Sequence, residues 1–205
     1  NLDISNLNAI NKLVENNRNS LFVNCIAFMP ADKCETEINN SESTNYNFVD
    51  NITKIISQFQ ECQFIQLSSD FIFDGQATTP YKETSTANPL NVYGKHKYEA
   101  ELSVERNLGD RGKIVRFASL VSNGESGNTF VDKIVNRAIA TGEISVVNDL
   151  TISVATMPLL MKYILDYSLF GSSNIFHAVH KGEASWYRLA ELALAAKGIK
   201  SKIHG

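Results

Sequence analysis

Glycine is absent from the first 74 residues of this 205-residue chain; Gly75 is the first to appear. A backbone that lays its N–H groups against a phosphate at a helix N-terminus needs residues without Cβ, so that stretch holds no glycine-rich phosphate cradle. Long apolar runs are also lacking. None approaches the ~18 residues that span a bilayer, and no basic stretch followed by an apolar one stands near Asn1. A cytoplasmic location is therefore expected. Charge of one sign is scarce as well: 19 basic residues face 22 acidic ones without runs. That leaves no footprint for nucleic acid or an anionic membrane, and a small molecule is the better-suited partner. Three cysteines, Cys25, Cys34 and Cys62, are odd in number and lack metal-type spacing, so they read as reduced thiols. The chain opens Asn1-Leu2-Asp3-Ile4, with no initiator methionine.

What is present suits one globular domain, or a large domain with a small lobe. The composition is 43% hydrophobic and 20% charged. A chain of this length buries close to ~70% of its unfolded surface, enough for a core without staples. After a helix-like pattern at Leu7, Ile10, Leu13 and Val14, short apolar runs alternate with helical ones. Residues 21–27, 64–67, 113–117, 144–147 and 174–179 read as strands. Helices are expected over 42–60, from Pro89 onward, over 128–140, over 157–167 and after a Ser185 cap. Such alternation predicts an α/β fold, a parallel sheet with helices on both faces and a ligand site at the carboxyl ends of the strands.

The chemistry concentrates in Leu67-Ser68-Ser69-Asp70-Phe71-Ile72-Phe73-Asp74-Gly75 and Pro89-Leu90-Asn91-Val92-Tyr93-Gly94-Lys95-His96-Lys97. Tyr93 and Lys97 stand one helical turn apart, so both side chains address the same face. A free tyrosine holds its proton with a pKa near ~10, and an adjacent ammonium is expected to bring that down. Ser69, at a strand end, could hold a substrate oxygen while Tyr93 moves a proton. The bland alternative is a surface helix with a half-packed tyrosine.

Together these segments resemble the extended short-chain dehydrogenase/reductases, in the branch of dTDP-4-dehydrorhamnose reductase, whose motifs run Ser-Thr-Asp-Tyr-Val-Phe and Pro-Leu-Asn-Val-Tyr-Gly-x-x-Lys. Phe22-Val23-Asn24-Cys25-Ile26-Ala27, Ala31-Asp32-Lys33-Cys34-Glu35 and Val147-Asn148-Asp149 match further family patterns. The resemblance implies a Rossmann-like doubly wound sheet with a small C-terminal substrate lobe. Residues 1–121 would form the NAD(P)-binding core without its first βαβ unit. Residues 122–205 would be mainly the substrate lobe, with 151–180 returning to the core. It further implies a reductase that takes hydride from NADPH or NADH to a keto group on a nucleotide-linked deoxysugar, feeding cell-surface polysaccharide synthesis. Tyr93 would be the general acid, Lys97 would depress its pKa and bind the nicotinamide ribose, and Ser69 would hold the reacting oxygen. Asn24, Ala27 and Ser68 would border the coenzyme, which Tyr93 and Lys97 would also contact. No metal is expected, and a homodimer is compatible with the resemblance.

Departures bear on coenzyme and substrate. The family's Gly-x-x-Gly-x-x-Gly turn is missing, so either these residues are part of a longer protein or the chain binds no coenzyme; the first is expected, because a sheet without its central strand leaves an apolar edge. Ser119 replaces the aromatic expected to face the sugar, Val121 replaces the tyrosine that follows, and Phe71 replaces another tyrosine. An epimerase or dehydratase of the same superfamily remains an alternative. So does a binding module resembling the regulatory subunit of methionine adenosyltransferase. Lys33 reads as a solvated loop lysine, His96 as a packing or surface histidine, and His177 as a satisfied core histidine.

Overall fold

Asn6 starts the first helix: its side chain accepts the Ala9 N–H, and Ile10 and Val14 fall one turn apart on the buried side of α1 (Leu7–Glu15). The computed structural model describes residues 3–121, 129–166 and 170–205. The expected helix ends at Asn128 and Tyr167, and the domain boundary at 122, lie outside the described residues. Two compact units divide the chain: residues 1–116 with 166–177, and residues 117–165 with 178–205.

The first unit is built on β1 (Leu21–Asn24), β2 (Gln63–Ser69), β3 (Gly112–Phe117) and a fourth strand, Ile175–His177, which is β8 in chain order. They form one sheet in the order β1-β2-β3-β8. β1 runs parallel to β2 with Phe22 opposite Phe64, and β3 parallel to β8 with Ile114 opposite Ile175. β1 is shorter than the apolar run 21–27. The Asn24 side-chain oxygen accepts the Ile26 N–H at 2.9 Å, and this Asx-type turn draws the backbone out of the ladder.

Between β1 and β2 the helix expected over 42–60 is a widened turn at Ser43–Asn47 followed by α4 (Phe48–Ser57), and the stretch expected as a loop before it holds two short helices, α2 (Ala31–Thr36) and α3 (Ile38–Glu42). That turn carries Asn45 into the interior, where its side chain accepts the Phe28 N–H at 2.8 Å and donates to the Phe28 carbonyl at 3.1 Å. A polar residue buried in mid-helix thus satisfies a loop instead of breaking the core.

The helix expected from Pro89 is α5 (Val92–Leu108), and its cap is Asn91, whose side chain accepts the Gly94 N–H at 2.7 Å. The missing N–H of Pro89 made it a plausible opener, but an acceptor side chain is what the exposed first-turn donors require. α4 and α5 pack together over the sheet, burying Phe48, Val49, Ile52, Ile56, Phe64, Ala100, Val104, Leu108 and Ile114. At Gly112 a Cβ would lie 2.5 Å from Val104 Cγ1, so only glycine lets β3 approach α5 so closely.

The second unit holds β4 (Ser119–Val121), α6 (Phe130–Thr141), β5 (Glu143–Ser145), β6 (Thr151–Ile152), β7 (Val154–Thr156) and α7 (Met157–Leu165). It continues with β9 (Ala184–Ser185), α8 (Trp186–Ala196) and β10 (Lys202–His204). Its strands pair two by two, β4 with β7 and β5 with β10 in parallel, β6 with β9 antiparallel. Thr129 caps α6 in a reciprocal box with Asp132, and Ser185 caps α8 as its position before Trp186 predicted. Ile134, Ala138, Ile144, Val146, Ala190 and Leu194 form the core. Among the described residues no helix is long and apolar enough to cross a membrane.

Candidate active site

β2 ends in two serines that point to opposite faces of the sheet, as successive strand residues must. Ser69 closes the strand: its hydroxyl oxygen accepts the Phe71 N–H at 3.3 Å, starting a short turn at Asp70–Ile72, and its proton goes to the Asp70 carboxylate at 3.0 Å. This turn meets α5 at Gly94, where a Cβ would sit 2.1 Å from the Phe71 carbonyl oxygen. Glycine after Tyr93 therefore lets the helix start press against the strand end. Tyr93 is brought to Ser69, with its ring edge-on to Phe71 at 5.7 Å between centroids. The first turn of α5 is also held by Glu35 of α2, whose carboxylate accepts the Val92 N–H at 2.7 Å.

Electrostatics correct one expectation. Tyr93 is pushed well above the ordinary phenol range, first by burial, then by the negative Asp70 and by Cys34, with its hydrogen bond to Ser69 acting the other way. Lys97 does not offset this. Its ammonium is turned toward the strand, where Nζ donates to the Leu67 carbonyl at 2.5 Å. Burial brings Lys97 itself down to about 8, partly countered by Glu101. Asp70 is raised, again because burial disfavours its charge. The site thus pairs a tyrosine that holds its proton with a lysine whose own is loosened by burial.

Asn24 is buried at the end of β1 and donates to the Gln66 side-chain oxygen at 2.9 Å, so it is linked to β2. Ala27 is exposed beyond that strand end. Ser68 is almost fully buried, and among the described residues its hydroxyl has no hydrogen-bond partner. Ser69, Tyr93, Lys97 and Asn24 therefore converge at the carboxyl ends of β1 and β2, whereas Ser68 and Ala27 are placed nearby without a recorded link to them. Sequence reasoning missed Gln66 and Glu35; the first was hidden in an apolar strand run, the second in a loop motif.

Lys33 is exposed and pairs with Glu37 at 3.7 Å, as a solvated lysine should. His96 is buried, its Nδ1 2.9 Å from Ser41 Oγ. His177 departs from expectation: its Nε2 is buried with no hydrogen-bond partner among the described residues, while its backbone N–H donates to Glu83 at 3.1 Å. Buried beside it, Arg116 holds Glu101 through Nε at 3.0 Å and Nη2 at 2.6 Å. Ser119 and Val121 are half-buried residues of the second unit. Among the described residues no group of His, Cys, Asp or Glu is arranged to hold a metal ion.

The donor set fits the nicotinamide-ribose end of a dinucleotide. An ammonium carries three N–H donors, of which the Leu67 carbonyl takes one, leaving Lys97 donors for a ligand's hydroxyls. The pyrophosphate end has no counterpart in the glycine-free stretch before Gly75.

Comparison with known proteins agrees with this geometry. Residues 1–204 match the family model of the RmlD substrate binding domain. A dTDP-4-keto-6-deoxy-D-glucose reductase of Streptomyces niveus is 29% identical over 96% of this chain and 67% of its own length. The dTDP-4-dehydrorhamnose reductase of Escherichia coli is 27% identical over 93% of this chain and 64% of its own. Among solved structures, a dTDP-4-dehydrorhamnose reductase of Clostridium acetobutylicum superposes with a TM-score of 0.90 at 30% identity, covering 98% of this chain and 70% of that one. One from Bacillus anthracis, in complex with NADP, gives 0.89 at 25%, covering 99% and 71%. The chain thus spans roughly two thirds of the length of its curated relatives. Sheet order, strand-end serine and the tyrosine–lysine helix lead to the same place as the match along the whole sequence: the chain belongs to the RmlD substrate-binding domain family.

Proposed function

We propose that the protein containing this chain reduces a keto group on a nucleotide-linked deoxysugar, with NADPH or NADH as coenzyme. The observation that carries the reading is the placing of Ser69 at the end of β2 and of buried Tyr93 in the first turn of α5, which the turn after Ser69 meets at Gly94, with buried Lys97 one turn further along that helix. When bound, the nicotinamide supplies the hydride. This chain's residues then manage the oxygen on which charge develops. Tyr93, raised by burial, keeps its proton at neutral pH and is able to give it to that oxygen. Ser69 holds the oxygen in place once substrate competes with Asp70 for its hydroxyl. Lys97 contributes positive charge as phenolate forms, and its remaining donors hold the coenzyme ribose.

Asn24 and Ala27 border the coenzyme in this reading, and Ser68 backs the strand end beneath it. Residues 1–121 belong to coenzyme binding and 122–205 mainly to the sugar, with 151–180 returning to the core. Ser119 and Val121, in place of two aromatics, favour a sugar other than dTDP-4-dehydrorhamnose.

The test uses the full-length protein. NADPH should be oxidised when a 4-keto-6-deoxy nucleotide sugar is added, and Tyr93→Phe should lower kcat by about 10²–10⁴-fold with coenzyme affinity unchanged. A Tyr93→Phe protein that still turns over would falsify the mechanism. Coenzyme binding without turnover across a panel of such sugars would replace the reductase with a binding module.

A further inference from the structure

Gln66 is fully buried in the middle of the sheet, where an aliphatic residue would ordinarily sit. Both ends of its amide are used. The oxygen accepts from Asn24 Nδ2 at 2.9 Å, and the nitrogen donates at 2.7 Å to the Leu67 carbonyl, the same oxygen that accepts Lys97 Nζ at 2.5 Å. Asn24 in turn accepts the Ile26 N–H at 2.9 Å. A continuous polar chain therefore joins the loop after β1 to the ammonium on α5. It runs Ile26 N–H, Asn24, Gln66, Leu67 carbonyl, Lys97.

We propose that Gln66 is a positioning residue for the reaction: it shares the Leu67 carbonyl with Lys97 and so sets where the ammonium rests and ties it to the β1 strand end. This rests on the reductase reading, in which Lys97 serves Tyr93 and the coenzyme. A carbonyl oxygen has two lone pairs. With one committed to the Gln66 amide, Lys97 is confined to the other, and its head group has one place to sit instead of two. The Asn24 end gives the device a second purpose. Asn24 fixes the amide's orientation, because flipping Gln66 would set N–H against N–H on one side and oxygen against oxygen on the other. Any shift of the strand end bordering the coenzyme is thereby felt at Lys97.

The competition also has a sign. An acceptor shared with an amide is a weaker acceptor for an ammonium, so sharing helps keep Lys97 near its titration point. That direction agrees with the lowering brought about by burial.

Three measurements test this, on the full-length protein with its coenzyme. Gln66→Met, similar in length but without the amide, should lower kcat about ten- to a hundredfold while leaving KM for the nucleotide sugar within about twofold, since misplacement acts on the reacting geometry. The alkaline limb of its kcat/KM profile should move to higher pH. Gln66→Glu, which keeps an acceptor for Asn24 but adds negative charge beside the ammonium, should move that limb further in the same direction. A Gln66→Met protein with wild-type kcat and an unmoved limb overturns the proposal, as does one that only loses thermal stability. Should both variants fail to fold, the wild-type chain answers by NMR: the Gln66 side-chain amide resonances should titrate with the same midpoint as the Lys97 side chain. Amide resonances indifferent to that titration overturn the coupling. Absence of turnover in the wild type, with the two midpoints still coincident, would sink the reductase reading and leave the coupling standing.

Discussion

The two units bury different things. In the first, the interior holds Asn24, Gln66, Ser68, Ser69, His96, Lys97, Glu101 and Arg116 among its aliphatic residues. In the second, among the described residues, the buried polar side chain is Asp132, which is spent in a helix cap, and the core is aliphatic. Burying an unpaired polar group costs several kcal/mol, so a sheet that buries many must pair nearly all of them. The first unit does so through directed networks, and the site grows out of those networks. The second unit buries mainly apolar side chains between its short strands and three helices, and its polar contacts lie at helix caps and near the surface.

That contrast is open to attack, and the largest expected effect lies in the first unit. Glu101→Ala strands the Arg116 guanidinium in the interior and should destabilise the protein by about 3–5 kcal/mol, measured by denaturant unfolding. A loss below about 1 kcal/mol, the range of an exposed pair, would erase the distinction between the units. Next comes a lesion of the apolar kind. Leu194→Ala removes a buried side chain from the second core and should destabilise by about 2–5 kcal/mol, with the kcat of the folded protein unchanged. Altered pH dependence in that variant would show that the second unit also tunes the site.

The smallest effect sharpens the comparison most. Lys97 is lowered to about 8, so it is charged below that pH and loses its proton above it. Tyr93 is raised and keeps its proton throughout. Activity should therefore fall as pH rises through about 8, by about tenfold for each unit beyond, and this limb should appear in kcat/KM of the free enzyme. A profile flat to pH 10 would mean that the Lys97 charge does not support the step.

Much of this was legible in the sequence. Alternation of short apolar runs with helical patterns marked the four strands of the large sheet, and the tyrosine–lysine spacing and strand-end serine marked the site. What escaped notice has a physical reason in each case. Gln66 lies in Gln63-Phe64-Ile65-Gln66-Leu67, where a period-two reading places it on a strand face but cannot say that the position is buried or that Asn24 stands across from it. Glu35 caps a helix 57 residues away, which no local pattern records. β4, β6, β7, β9 and β10 are two or three residues long, too short to carry a period at all. His177 was read as satisfied because strand histidines ordinarily are; its unpartnered Nε2 depends on which groups fold against it.

The amino-acid sequence determined by itself the fold class, the strand-end hydroxyl and the tyrosine with its lysine one turn on, because helical and strand periods are local and place residues on faces without knowledge of neighbours. Only the tertiary structure decided the state of that site. Burial and the nearness of Asp70 and Cys34 raise the tyrosine while Lys97 is engaged with the Leu67 carbonyl, and these are properties of surroundings assembled from β2 and the turn after it, α2 and α5. The early scarcity of glycine, legible from the outset, means that no glycine-rich phosphate cradle stands before Gly75.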